Sequence, residues 1–251
     1  MYSVDRIGQF LERYRAFAQE ASDLRLHSLT ARFGHVRTAL EALADLDRRY
    51  QRQIAPRFNL FGVLRLDRYE VRTHSAFLTH LFRPNGAHGQ GILFLDTFLQ
   101  YCLGKGHQFD RFPRIDLPTE GASWDVVAEK SVPGGQLDIV IESRRSNLLM
   151  VVENKIDAPE QMDQLGRYQD WLSRRSNYPP DRRVLIYLTP DGRRATTASR
   201  EDYFCLSYAR DVSAWLKSAL PGIEASRVRD AVIQYLDLIG NLFHFVAEAE
   251  T

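Results

Sequence analysis

Three residues in the middle of the chain can do chemistry together. Asp138 lies in the run Gln136-Leu137-Asp138-Ile139-Val140-Ile141-Glu142, and Glu153 and Lys155 close the run Val151-Val152-Glu153-Asn154-Lys155. Both runs are apolar and rich in β-branched residues, so they read as strands, over 137–142 and 148–153, in a hairpin across a polar segment. Side chains alternate along a strand, which puts Glu153 and Lys155 on one face. If the loop is the four residues 144–147, Asp138 falls opposite Glu153, at the separation of about 4.5–5.5 Å between Cβ atoms of antiparallel partners. A slip of one residue separates the acids again.

Two carboxylates at that separation repel unless a cation sits between them. Mg²⁺ suits such a place, and Mn²⁺ is its substitute: a hard ion that takes one or two protein carboxylates, keeps waters and accepts phosphate oxygens. Lys155, charged and close by, is then a partner for the attacking water, the scissile phosphate, or both. The chemistry is hydrolysis of a phosphodiester by in-line attack. Metal lowers the pKa of water, and metal and lysine together meet the charge on the phosphate oxygens. The plainer alternative is a salt-bridge cluster at the end of a sheet. Against it stands the cost of leaving an unpaired carboxylate inside apolar strand sequence.

A helix is expected next. Asp157-Ala158-Pro159-Glu160 predicts its start, with Asp157 as cap, Glu160 completing a capping box and proline in the first turn, and the helix runs to about residue 173. Gln164 and Tyr168 are four apart and share a face. Gln164 can hydrogen-bond the lysine, a water or a phosphate, and Tyr168 can brace the site or touch substrate. Equally, Leu165, Tyr168 and Leu172 can be a buried stripe with Gln164 at its boundary.

Around this segment the periodicity predicts helices over 68–82 and 92–99, a first strand over 126–132 ending in Pro133-Gly134-Gly135, further strands over 183–188 and 204–207, and closing helices over 211–220 and 227–246. The order predicts an α/β layer architecture: a mixed sheet flanked by N- and C-terminal helices. Residues 1–55 read as two helices. Ile7, Phe10, Leu11, Tyr14 and Phe17 form one stripe, and after a break near residues 24–27 Leu29, Phe33, Val36, Leu40 and Leu43 form another. The favoured reading is a helical hairpin; the alternative is an arm for a homodimer or another protein partner. Residues 56–251 then form the main domain, with its core at about 58–210.

These residues together resemble the PD-(D/E)XK nuclease superfamily, whose core is an α-β-β-β-α-β unit with an acid and then acid-x-lysine on adjacent strands. Here those are Asp138 and Glu153-Asn154-Lys155, and Gln164-Leu165-Gly166-Arg167-Tyr168 is similar to the QxxxY motif of the exonuclease-like branch. Phe58-Asn59-Leu60-Phe61, Glu70, His74-Ser75-Ala76-Phe77-Leu78 and His88-Gly89-Gln90-Gly91 are similar to one bacterial-type family of that superfamily. The resemblance implies a restriction-endonuclease-like fold and a divalent-metal site with Asp138 and Glu153 as ligands. It also implies Lys155 as the catalytic lysine and Glu70 as a further ligand or water-positioning group. The proline of the superfamily's name is replaced, since Gln136-Leu137 precedes Asp138. The implied activity is a nuclease, on DNA rather than RNA, with restriction or defence against foreign DNA as its setting. The competing expectation is a binding or regulatory module that keeps the fold without the reaction.

Weaker signals remain. His74 and His88 can contact phosphate or cap helix ends, with capping preferred. Glu129 can join the acids or be solvated. Arg144-Arg145, Arg174-Arg175 and Arg182-Arg183 fall in or beside loops and, if gathered on one rim of the acids, would neutralise a nucleic-acid backbone. The 251 residues carry 33 Lys and Arg against 32 Asp and Glu, a formal charge of +1, so bulk charge does not advertise a nucleic-acid partner. Two distant cysteines, Cys102 and Cys205, exclude a disulfide framework and a CxxC zinc site. No secretory signal or membrane span is read, and a cytoplasmic protein is expected.

Overall fold

The computed structural model of the chain describes residues 4–105, 112, 123–200 and 202–247. It divides into two units, Met1–Phe58 and Asn59–Thr251. The first consists of one helix, α1, over Val4–Ile54. The expected hairpin is therefore corrected, because the backbone does not reverse near residues 24–27. No proline or glycine stands in 20–28 to interrupt a helix. The break in periodicity is instead a change of face: the five-residue step from Leu24 to Leu29 rotates the stripe by about 140° at 3.6 residues per turn. Leu29, Phe33, Val36, Leu40 and Leu43 all remain exposed along it.

The second unit is built on a five-stranded sheet in the order β1-β2-β3-β4-β5. β1 (Asp125–Val132), β2 (Gly135–Ser143) and β3 (Leu148–Asn154) form an antiparallel meander, and β4 (Arg183–Thr189) and β5 (Phe204–Ser207) continue it in parallel. The parallel step from β3 to β4 needs a crossover, supplied by α5 (Gln164–Ser173). Before the sheet come α2 (Leu60–Val63), a π-helical turn over Glu70–Ser75 that runs into α3 (Ala76–Phe82), and α4 (Leu93–Gly104). After it come a second π-helical turn over Tyr208–Val212, α6 (Ser213–Ala219) and α7 (Ser226–Ala247).

Two apolar layers cover the sheet. On one face Leu81, Phe94, Leu99, Trp215 and Ile239 from the flanking helices pack with Ile139, Ile141, Met150, Val152 and Ile186. On the other, Leu165, Tyr168, Trp171 and Leu172 of α5 pack with Leu137, Val140, Leu149, Val151 and Leu185. Every residue of β3 is buried, which is why its sequence runs apolar without alternation. The expected α-β-β-β-α-β order and mixed sheet are both present.

The entry to α5 differs from expectation. The helix begins at Gln164, not near Asp157. Glu160 does not turn back on a helix end. Its carboxylate accepts from Arg193, from the Thr196 amide (2.7 Å) and hydroxyl (2.9 Å) and from the Thr197 amide (3.1 Å). Asp163 sits at φ +47 and accepts from the amide and hydroxyl of Ser199. Long-range partners thus outcompete the local capping box. Although burial opposes it, Arg193 and the threonines hold the Glu160 carboxyl down at about 2. Replacing Glu160 by Gln is expected to loosen the segment between Pro190 and Ser199, making trypsin cut after Arg193 or Arg194 about fivefold faster, the factor for roughly 1 kcal/mol of local stability. Unchanged proteolysis would show that the carboxylate does not hold this segment.

Candidate metal and catalytic site

The hairpin register runs from Ser143↔Leu148 to Ile139↔Val152, and one further step along it places Asp138 opposite Glu153. The loop is 144–147, as the sequence predicts. Asp138 Oδ2 accepts the backbone N–H of Asn154 at 2.7 Å. Glu153 is 1% exposed. Its Oε1 accepts from Gln164 Nε2 at 2.6 Å and lies 3.6 Å from Lys155 Nζ. Its Oε2 is buried with no hydrogen-bond partner among the described residues.

Glu70, in the first turn of the π-helical segment before α3, reaches the same strand end. Its Oε2 accepts from the Ile156 amide at 2.6 Å. Asn154, between the acid and the lysine, points the other way and holds Glu70 in place. Its Nδ2 donates to Ser75 Oγ (2.9 Å) and to the Glu70 carbonyl (3.4 Å), and its Oδ1 accepts from Tyr208 OH (2.9 Å). Thus Glu70, Asp138, Glu153 and Lys155 are brought together.

From α5, Gln164 Nε2 also donates to Tyr168 OH at 2.9 Å, and that hydroxyl donates to the Gln136 carbonyl at 2.6 Å. The buried stripe is present, and two readings of this helix are corrected: the Gln164 amide goes to Glu153 and not to the lysine, and Tyr168, 1% exposed with its hydroxyl bracing Gln164, is not placed to touch a nucleic acid. Burial and the nearby Glu153 charge push Tyr168 up to about 12, so it stays a donor. The approach needs Gly135, whose φ is +153 and where a Cβ would stand 3.2 Å from the Tyr168 hydroxyl.

The electrostatics are dominated by burial. Asp138 is raised by desolvation and by the charges of Glu129 and Glu70, against its hydrogen bond from Asn154. Glu153 is raised by desolvation and by the Asp138 charge, with Lys155 opposing. Glu129, left open by the sequence, belongs to this cluster. It has a left-handed φ of +53, stands between the ladder pairs Ala128↔Ile139 and Lys130↔Leu137, and leaves Oε1 buried without a partner among the described residues. Its carboxyl is raised by burial and by Glu70. No periodicity signals this residue, because its placement depends on one irregular backbone angle.

The phosphate-contact alternative for the histidines and the arginine rim are corrected, while the preferred capping reading fits His88, which bonds the carbonyl of Arg83 at the end of α3. His74 is fully buried, hydrogen-bonded through Nδ1 to Tyr235 OH (2.8 Å) and through Nε2 to the Asp67 carbonyl (2.9 Å). His88 is buried between the Arg83 carbonyl (2.7 Å) and the Gln90 amide (3.0 Å). Both rings tie loops to helices and neither faces a ligand. Arg144 and Arg145 are exposed but sit in the hairpin loop, six and seven positions from Asp138, about 20 Å away at 3.3 Å per residue. They are not on the rim of the acids.

Among the described residues no three carboxylate, imidazole or thiol side chains are gathered tightly enough to hold a metal ion as they stand. The donor set nevertheless fits a divalent cation. Crowded carboxyls are driven toward protonation, and one Glu153 oxygen is buried with nothing to bind, which is the condition that a hard cation with oxygen ligands relieves. Asp138, Glu153 and Glu70 would hold it, with Glu129 beside them.

A family model described as the PD-(D/E)XK nuclease superfamily matches residues 58–237. The chain belongs to that superfamily. Its fold is the restriction-endonuclease-like one, and its family is a family of nucleases. No curated protein and no solved structure matches the chain. Among the described residues no helix is long and apolar enough to cross a membrane.

The raised carboxyls carry a pH signature in metal-free protein. The folded chain binds these protons more tightly than the unfolded chain, so stability is greatest below the ordinary carboxylate range and falls as pH rises above it. Thermal melts in chelator are expected to show this fall for the wild type and a flatter profile for Glu153→Gln, which should be about 1–3 kcal/mol more stable at pH 8. Mn²⁺ should raise the melting temperature of the wild type and not of the variant. Parallel profiles for the two proteins would contradict the assignment.

Proposed function

We propose that the protein is a divalent-metal-dependent nuclease that hydrolyses phosphodiester bonds of DNA, with Mg²⁺ or Mn²⁺ held by Asp138, Glu153 and Glu70. The observation that carries this reading is the meeting of Asp138, Glu153 and Lys155 at one buried end of the β2–β3 hairpin, with a Glu153 oxygen left unpartnered. Membership of the superfamily supports hydrolysis of nucleic acid. DNA as the substrate, and restriction or defence as the setting, rest on the resemblance alone.

A bound divalent ion supplies charge neutralisation for the acids and the phosphate and eases ionisation of water. The chain's own groups do the rest. Lys155 holds its ammonium beside Glu153 and stabilises charge gathering on the phosphate oxygens in the transition state, or orients the incoming water. Gln164 fixes the Glu153 carboxylate, and Tyr168 fixes Gln164. Asn154 links strand β3 to the segment bearing Glu70. Glu70 and Glu129 are half-exposed whereas Glu153 is buried, so the cluster opens on their side.

The test incubates purified protein with linear and circular DNA and with RNA, in Mg²⁺, in Mn²⁺ and in chelator. Cutting of DNA in either metal and none in chelator is expected. Lys155→Ala should lower the rate by about 100-fold or more, within the range for loss of a positioned catalytic group, in protein whose far-UV circular dichroism shows it still folded at the assay temperature. Binding without cutting, in every metal and on every substrate, would instead establish a nuclease-fold binding module.

A further inference from the structure

A second site lies along α5, away from the acids. A cavity of 650 Å³ is lined by Lys130, Arg144, Trp171, Arg175 and Tyr178, among others. An adjoining cavity of 430 Å³ shares Trp171 and Arg175 and adds Arg167 and Arg174. The Arg175 guanidinium lies 4.2 Å from the centre of the Trp171 ring and the Lys130 ammonium 5.8 Å from it.

The charge of this basin is one-sided. Lys130, Arg144, Arg167, Arg174 and Arg175 contribute to it, against Glu142 and Asp170. Glu142 accepts from the Tyr178 hydroxyl and is matched by Arg144 Nε (3.5 Å), while Asp170 pairs with Arg200, outside the basin, at 2.8 Å, which leaves Lys130, Arg167, Arg174 and Arg175 in excess. Trp171 itself is only 6% exposed, and its indole N–H has no acceptor among the described residues. A buried indole N–H usually has one. Cations gathered around an unsatisfied donor call for an anion with several acceptor oxygens.

The position identifies the anion. Gln164, Tyr168 and Trp171 follow one another at steps of four and three, hence along one face of α5, and Arg175 continues them. From Gln164, which binds Glu153, to Trp171 is about 10 Å at 1.5 Å per residue, comparable to the axial rise of about three nucleotides of a duplex strand at 3.4 Å each. We propose that this basin binds the phosphodiester backbone of the nucleic-acid strand to one side of the bond being cut, with backbone phosphates on Arg144, Arg174 and Arg175 and one oxygen accepting from the Trp171 indole. This rests on the nuclease reading above.

The test is fluorescence anisotropy with a labelled single-stranded oligonucleotide and its duplex, using the full chain in Ca²⁺ over a series of salt concentrations. The triple variant Arg144→Gln, Arg174→Gln, Arg175→Gln is expected to bind the single strand about tenfold or more weakly, with a salt slope shallower by about two, since each neutralised phosphate contributes about 0.7. Its heat of Mn²⁺ binding should match wild type. Trp171→Phe, which keeps the ring and removes the N–H, should weaken binding with the salt slope unchanged. Wild-type affinity and slope in the triple variant would overturn the proposal, as would loss of oligonucleotide binding to inorganic phosphate at concentrations too low to screen the duplex, which would mark a free-phosphate site. Metal-dependent cutting that ignores all these substitutions sinks the basin and spares the nuclease. Basin-dependent binding without cutting by the wild type sinks the nuclease and spares the basin.

Discussion

The constraint on which the structure turns is electrostatic. Two carboxylates, Asp138 and Glu153, are held side by side where water is largely excluded. Burial alone disfavours their ionised forms, and each disfavours the other's. A fold selected only for stability would place apolar residues here, because unpaired buried charge is among the costliest features a core can carry. The surroundings show how the arrangement is tolerated. One amide hydrogen bond goes to Asp138, one side-chain amide to Glu153, and one ammonium stands beside it. These partners satisfy some of the oxygens and leave one of them waiting. Preorganisation of this kind trades folding stability for a site whose polar groups need not rearrange when a cation and a phosphate arrive.

The backbone bears part of that cost. Residues two apart on a regular strand share a face, yet Leu137 packs under α5 while Ile139 packs on the opposite layer. The same reversal occurs on β1, where Val126 joins the opposite layer and Lys130 reaches Trp171 under α5. Both breaks fall at the facing positions Glu129 and Asp138, and Glu129 takes the left-handed conformation that accommodates them. Non-glycine residues with such angles are uncommon and concentrate at functional sites. Here the irregularity swings Glu129 toward the other acids. The two π-helical turns act in the same way, since one carries Glu70 and the other carries Tyr208, whose hydroxyl holds Asn154.

Legibility in the sequence followed the range of the forces. The β2–β3 register could be read because a four-residue loop and a two-residue period leave few alternatives, so the pairing of Asp138 with Glu153 was foreseeable from spacing. The order of helices and strands was foreseeable for the same reason. What local patterns could not supply was decided at a distance. Glu160 has the spacing of a capping box, yet Arg193, Thr196 and Thr197 claim it from more than thirty positions away. His74 and His88 have the chemistry of phosphate contacts, but tertiary packing closes over them. In α1 the break in apolar phase was real, and only its translation into a chain reversal was wrong, because a helix without proline or glycine can change face without ending.

The nearly balanced composition takes on a different meaning once charge is placed in space. A net +1 suggests no attraction for a polyanion. In the fold, however, Glu70, Glu129, Asp138 and Glu153 collect at one end of the hairpin, while Arg144, Arg174 and Arg175 line the basin around Trp171. A strand lying across both would meet repulsion at the acids, relieved only when a cation is present, and attraction along α5. Screening over about 8–10 Å at ordinary ionic strength keeps these two fields largely separate. Affinity and chemistry can therefore be governed separately: the basic basin by salt, the acidic cluster by divalent metal. A sum over the whole chain cancels these fields, and only the fold that separates them gives the balance of charges its meaning.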